Sequence, residues 1–223
     1  MESLTPRLKT VAGFVRGGHK LIDVGTDHGY IPAYLITKGV IPCATACDIG
    51  KMPLLNAKKT AEKYGIEDKM KLTLSDGLKK IKPTDGDDVV IAGMGGELIR
   101  DILKECEWIK DKRIRLILQP MTHAEDVRRF LYENGFYILE EKGVSDAGKY
   151  YCVIVSEYEP GHKADEFDIV FGFSDGSQEY NQVRLRQRKK LCDKMRGAEI
   201  SGDRAKYDYC RSLIDEFEKK RVK

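Results

Sequence analysis

Between Lys20 and Asn134, short apolar runs alternate with longer amphipathic ones, and few backbones accommodate that order. Residues 20–24, 44–48, 71–75, 88–92 and 115–118 read as strands, and residues 32–38, 52–64, about 97–106 and 124–134 as helices, with Gly135 at a C′ position. Such an alternation calls for a parallel sheet covered by helices on both faces. A further helix opens the chain, because Thr5-Pro6 pairs a capping residue with a proline at the first helical position, and Gly17-Gly18 ends the run. Residues 136–142 and 149–158 break the pattern: a short glycine-containing loop joins them, so they should pair antiparallel. The fold expected is therefore α/β, a mostly parallel sheet with an antiparallel C-terminal strand.

Past Glu159-Pro160-Gly161-His162 the chain turns polar and helical. Tyr180, Val183, Leu191, Met195 and Ala198 fall on one helical face, with Arg184 intruding, while Tyr207, Cys210, Ile214 and Phe217 share a face of a second helix. Ser201-Gly202-Asp203 supplies a turn between them, which predicts a helical hairpin and a division into domains 1–160 and 161–223. The charge follows the same division. Residues 1–160 hold 24 basic and 24 acidic side chains, so the net +3 comes from 15 basic and 12 acidic residues in the remainder. Seven of the basic ones lie between Arg184 and Arg196 against the single acid Asp193, a pattern suited to a polyanion.

Other classes are disfavoured. No apolar run approaches the ~20 residues a spanning helix needs, and the N-terminus lacks a secretory pattern, which predicts a cytoplasmic protein without a membrane partner. Six cysteines and four histidines are scattered without a Cys-x-x-Cys pair or a Cys/His cluster, so no metal is expected. A monomer or weak dimer is the expected assembly.

The chemistry concentrates where strands end. Leu21-Ile22-Asp23-Val24-Gly25-Thr26-Asp27-His28-Gly29-Tyr30 is a buried strand, an acid near its end, and a glycine-containing turn into a helix. A dinucleotide fingerprint would need glycine where Asp27 stands, and an acid there repels a pyrophosphate. S-adenosylmethionine carries an ammonium and a sulfonium, which an acid favours, so Asp23, Gly25 and Thr26 are assigned to that donor. Asp48 ends the second strand, where a carboxylate can accept both hydroxyls of a ribose. Asp76 and Gly77 end the third, where an acid can accept the exocyclic amine of adenine with Ile49 and Leu78 against the ring. Gly93 and Met94, followed by Gly95 and Gly96, end the fourth and suggest close backbone approach to a ligand. An ordinary tight strand-to-helix turn with a surface Asp is the alternative for the first motif, and a helix-capping or turn role is the alternative for Asp76.

Asp-Val-Gly-Thr-Asp-His-Gly-Tyr-Ile-Pro at 23–32, Gly-Met-Gly-Gly at 93–96 and Leu-Gln-Pro-Met at 118–121 resemble the TrmK family, bacterial tRNA methyltransferases that act on N1 of the adenine at tRNA position 22. The resemblance covers nearly the whole chain. It implies a Rossmann-like class I methyltransferase domain, a coiled-coil-like C-terminal domain, and tRNA as partner. Adenine N1 has an in-plane lone pair, so no base is required to create the nucleophile. Asp27 becomes the candidate to hold N6, with service to the methyl donor as its alternative. His28 and Tyr30 become candidates to contact or stack on the base, with structural roles as the alternative. Gly95, Gln119 and Pro120 would border the substrate, and Arg186, Lys189, Lys190 and Arg196 would track RNA phosphates unless they form only a solvated helix face. A methyltransferase with another RNA, protein or small-molecule substrate, and a non-catalytic S-adenosylmethionine sensor, remain the competing classes.

Overall fold

The computed structural model describes residues 4–221. Helix α1 (Pro6–Gly13) precedes five parallel strands, β1 (Leu21–Val24), β2 (Ala44–Asp48), β3 (Met70–Leu74), β4 (Asp88–Gly95) and β5 (Arg115–Thr122). Between them run α2 (Tyr30–Thr37), α3 (Lys51–Tyr64) and α4 (Gly96–Lys104), and α5 (Ala124–Glu133) leads to the hairpin β6 (Phe136–Asp146) and β7 (Lys149–Tyr158). The strands lie in the order β3-β2-β1-β4-β5-β7-β6, with β7 antiparallel to both neighbours. This is the mostly parallel sheet with an antiparallel end that the alternation predicts, in the Rossmann-like arrangement that the family resemblance implies. All four residues of β1 are buried, as expected of a central strand covered on both faces.

Local chemistry explains the element ends. Thr5 caps α1 by accepting the Leu8 amide at 3.4 Å, and Pro6 occupies the first turn. Helix α2 starts at Tyr30, two residues ahead of the sequence expectation, because Gly29 in the left-handed region turns the chain there, and Pro32 is tolerated in a first turn whose amides have no helical acceptor. Strands β4 and β5 run past their expected ends, to Gly95 and Thr122, and a bulge at Ala92–Met94 offsets their pairing.

The C-terminal residues form α6 (Glu166–Phe171), α7 (Gln178–Ser201) and α8 (Arg204–Arg221). Helix α6 was not legible as an element. Its Phe167, Val170 and Phe171 join Leu191 of α7 and Cys210, Leu213, Ile214 and Phe217 of α8 in a separate apolar cluster. Two larger clusters fill the two faces of the sheet. Tyr180, the first aromatic of α7, belongs to one of them, so α7 is anchored in the sheet layer at its N-terminal end. Gly143 on β6 makes that anchorage possible, since a Cβ there would stand 2.3 Å from the Tyr180 amide nitrogen.

The anchor is polar at its centre. Arg128 on α5 meets Glu141 on β6 through Nε–Oε1 at 2.8 Å and Nη2–Oε2 at 2.9 Å, the Tyr180 hydroxyl donates to Glu141 at 2.5 Å, and Arg128 also reaches the Ile169 carbonyl at 3.2 Å. The side chains of Arg128 and Glu141 are 2% and 0% exposed. One bidentate pair thus joins α5, the β6–β7 hairpin, α6 and α7.

Candidate active site

A cavity of about 380 Å³ lies between α4 and α5, far from the strand tips that carry the sequence motifs. A second, of about 340 Å³, opens at the carboxyl ends of β1 and β4 and is lined by Arg7, Leu8, Asp23, residues 25–31, Ala92 and Gly93. Its position at the strand tips, where open α/β sheets bind ligands, selects it as the site.

Gly25 turns the backbone away from β1 with φ +74°, and a Cβ there would stand 1.9 Å from Met94 Cε. The dihedral favours glycine there, and the flexible end of Met94 fills the space a side chain would take. The Thr26 hydroxyl accepts the Gly29 amide at 3.1 Å and fixes the turn into α2. Asp23 is buried, and burial raises its carboxyl from 3.8 to about 6; a hydrogen bond with Thr26 opposes the shift, and the charge of Asp48 adds to it. Asp23 and Asp48 are thus close enough to sense each other. Asp48 is oriented by the Gly50 amide, which donates to its Oδ1 at 2.6 Å. Cys47, beside them, is held neutral by burial, its thiol pushed up to about 12, so it offers no thiolate nucleophile.

At the mouth, Asp27 lies 3.4 Å from His28 Nε2, and the His28 and Tyr30 rings stack with centroids 4.9 Å apart and planes 6° from parallel. Both rings are partly open to solvent, with the Tyr30 residue 42% exposed.

Of the residues singled out in the sequence, Asp23, Gly25, Thr26, Asp27, His28, Tyr30 and Gly93 line this cavity together. Asp48 adjoins it through Asp23. Ile49 is 72% exposed at the end of β2 and free to cover a ligand, whereas Leu78 is buried in the core. Asp76 is turned to Lys79 at 2.5 Å, and Gly77 packs against Ile102, so both border the tip of β3 outside the cavity. Gly93 takes φ +82° and donates its amide to Gln119 Oε1 at 3.1 Å. Gln119 is fully buried and holds the Gly93 loop. Gly96 has a packing explanation, because a Cβ there would stand 2.1 Å from the His123 carbonyl.

Pro120 lines a small groove of about 50 Å³ with His123, Tyr150, Arg186 and Lys190, and Arg186 donates to the Tyr150 carbonyl at 2.8 Å. Lys189 and Arg196 are exposed on α7 outside that groove, with Arg196 3.9 Å from Asp193. Arg7 was missed in the sequence. It stands in the first turn of an unremarkable amphipathic helix, and its partner Gln119 is 112 residues away.

Among the described residues there is no cluster of metal-ligating side chains, and no helix is long and apolar enough to cross a membrane.

Residues 4–154 match a family model described as a methyltransferase domain. The tRNA (adenine(22)-N(1))-methyltransferase of Bacillus subtilis is 40% identical over 157 residues, which covers 69% of this chain and 65% of that relative. A Streptococcus pneumoniae protein solved with S-adenosyl-L-methionine superposes with a TM-score of 0.82 at 33% identity over 95% of this chain and 100% of that one. Mycoplasma capricolum TrmK, solved with S-adenosyl-homocysteine, superposes with a TM-score of 0.81 at 26% identity over 97% of this chain and 96% of that one. The match to the methyltransferase model and the full-length structural likeness show that the chain belongs to the TrmK family of methyltransferases.

Proposed function

We propose that the protein is an S-adenosylmethionine-dependent tRNA methyltransferase that modifies N1 of the adenine at position 22. The observation that carries the reading is the cavity at the tips of β1 and β4, which the Gly25 turn borders beside the paired acids Asp23 and Asp48. Those residues would hold the donor: Asp48 would accept its ribose hydroxyls, Ile49 would cover its adenine, and Asp76 and Gly77 would bound the ring at the β3 tip. When bound, S-adenosylmethionine supplies an electrophilic methyl on a sulfonium.

The chain's part is mainly alignment and charge placement. Asp23 presents negative charge to the donor's cationic groups and Met94 closes over Gly25. His28 and Tyr30 offer a ready-made aromatic surface for a base turned out of its stack, at a cost of ~a few kcal/mol. Asp27, 3.4 Å from His28 Nε2, receives the N6 amino group as its proton becomes acidic on methylation. Gly95 and Pro120 border the incoming strand, while Gln119 acts indirectly by holding the Gly93 loop. Arg186, Lys189, Lys190 and Arg196 take RNA phosphates along α7, so that domain 1–160 performs transfer and domain 161–223 holds the substrate. Labelled methyl should pass from the donor to unmodified tRNA bearing adenine at position 22, and to no transcript with guanine there. Equal labelling of both would refute the assignment of the target base.

The elevated Asp23 carboxyl makes two opposed pH effects. Because its folded value of about 6 exceeds the 3.8 taken as its unfolded value, its contribution to stability is complete below the lower value and is lost as pH rises through the upper. The loss is of order 3 kcal/mol and should vanish in Asp23→Asn. Affinity for the cationic donor should run the other way, rising about tenfold between pH ~5 and ~7 in calorimetric titrations. A flat profile would separate Asp23 from the donor's positive groups.

Reversing charge in Lys189→Glu/Lys190→Glu should weaken tRNA binding and reduce its salt slope by about 2, while donor binding holds. An unchanged salt slope would return these lysines to a merely solvated face.

A further inference from the structure

A cavity of about 440 Å³ opens between α6, α7 and α8, outside the site at the strand tips. Its α7 wall carries Gln178, Asn181, Gln182 and Leu185, whose spacing places them on one helical face. Among the described residues none of the three carboxamides has a hydrogen-bond partner, so each keeps its donors and its acceptor for a ligand. The turn that holds them is fixed, because Ser177 caps it by accepting the Tyr180 amide at 3.0 Å and Tyr180 is buried in the sheet layer. Two cations border them. Lys220 Nζ on α8 lies 3.8 Å from the Phe167 ring centroid, and the Arg184 guanidinium carbon lies 5.6 Å from it. Arg184 Nε and Nη2 donate to the Phe171 and Gly172 carbonyls at 3.3 and 2.7 Å, which leaves Nη1 without an acceptor among the described residues. Glu216 pairs with Lys220 at 2.8 Å, but among the described residues no acidic side chain lines the cavity itself.

We infer that this cavity takes one unpaired nucleotide of the RNA substrate, its base read by the carboxamides of Gln178, Asn181 and Gln182 and its phosphate held by Arg184 and Lys220. The inference rests on the tRNA reading and adds a second place of recognition, apart from the adenine that is methylated. A carboxamide recognises by pattern rather than by charge: it pairs a donor and an acceptor with the edge of a base, and unpaired RNA exposes such edges. The volume falls within the range of about 300–1,000 Å³ usual for small-ligand sites. Lys189 and Arg196 stand eleven and eighteen residues beyond Gln178, on the same stripe of α7, so a strand whose phosphates lie on those two is led to the carboxamide turn. Arg186 and Lys190 face instead the groove beside Pro120. A peptide would also find partners in three carboxamides, but two fixed cations and the lack of a lining acid favour a polyanion.

Equilibrium binding of the full chain to synthetic tRNAs tests this, each tRNA having the base of one unpaired nucleotide other than position 22 removed and its phosphate kept. At one such position the wild type should lose about tenfold in affinity with no change in salt slope. Asn181→Ala/Gln182→Ala should bind intact tRNA about tenfold more weakly at the wild-type salt slope, and should bind the tRNA lacking that base within about twofold of the intact one. Lys220→Gln should keep the base preference and lower the salt slope by about 1. Alanine suits a helix, and unchanged donor binding in calorimetry verifies that both variants are folded. A wild type indifferent to every removed base, or a double variant that keeps the full preference, would overturn the inference, because the carboxamides would then read no base. Wild-type affinity of the double variant for intact tRNA would also overturn it, in favour of a protein partner on this face. Failure of the wild type to bind any tRNA while it binds S-adenosylmethionine would instead refute the tRNA reading beneath it.

Discussion

Arg128→Met should destabilise the fold by about 3–5 kcal/mol, because it leaves Glu141 charged and buried with its bidentate partner gone. The side chain of Glu141 is 0% exposed, and Tyr180 alone cannot neutralise it. The loss should read as a lower urea midpoint with an unchanged slope. Arg128→Met/Glu141→Leu removes both charges and should recover most of the stability, since apolar replacement of a buried pair is often neutral or favourable. A single variant within about 1 kcal/mol of wild type would mean that Glu141 takes up a proton or water at little cost. A functional consequence accompanies the structural one. The pair lies where α5, the β6–β7 hairpin and the start of α7 meet, so its removal should raise the KM for tRNA more than that for donor.

Asp48→Ala should have the largest effect on catalysis that leaves the fold intact. A charged acceptor that takes both hydroxyls of a ribose contributes about 1.5–3 kcal/mol per hydrogen bond, so kcat/KM for the donor should fall at least a hundredfold. Thermal stability should change little, because the side chain is partly exposed and bonds only its own turn at Gly50. Removing its charge also lowers the Asp23 carboxyl toward the ordinary range, which shifts the pH dependence of donor binding to lower pH. Donor affinity within about threefold of wild type would detach Asp48 from the ribose and require a different donor pose.

The sheet was legible because its cause is local. Strand β2 falls at 44–48 in both sequence and structure, since an apolar run bounded by turn residues has little freedom over its ends. The site carboxylates were legible through a topological rule, because parallel strands in one sheet bring their carboxyl ends to one edge whatever their separation in sequence. What the sequence hid depends on contacts between distant segments. Arg7 has nothing in its own helix to mark it, and it acquires a role only when β5 places Gln119 beneath it. Tyr180 reads as one more apolar residue on a hairpin seam, yet Gly143 and the Arg128–Glu141 pair draw it into the sheet layer. Residues 93–96 read as one ligand-facing loop. Gly93 opens beside Arg7, while Gly96 admits the His123 carbonyl. Helix α6 escaped notice because the six residues 166–171 are too few to display a helical period.

In the proposed reaction one cavity at the tips of β1 and β4 delivers a methyl group to the Watson-Crick edge of an adenine in tRNA. Mass spectrometry of nucleosides from tRNA incubated with the protein and isotopically labelled S-adenosylmethionine tests it most directly, with the modified position mapped by nuclease fragments. The account predicts labelled 1-methyladenosine at position 22 and none in a parallel reaction with Asp48→Ala. Label on another atom or position, or no labelled nucleoside from any tRNA while the donor binds normally, would contradict it.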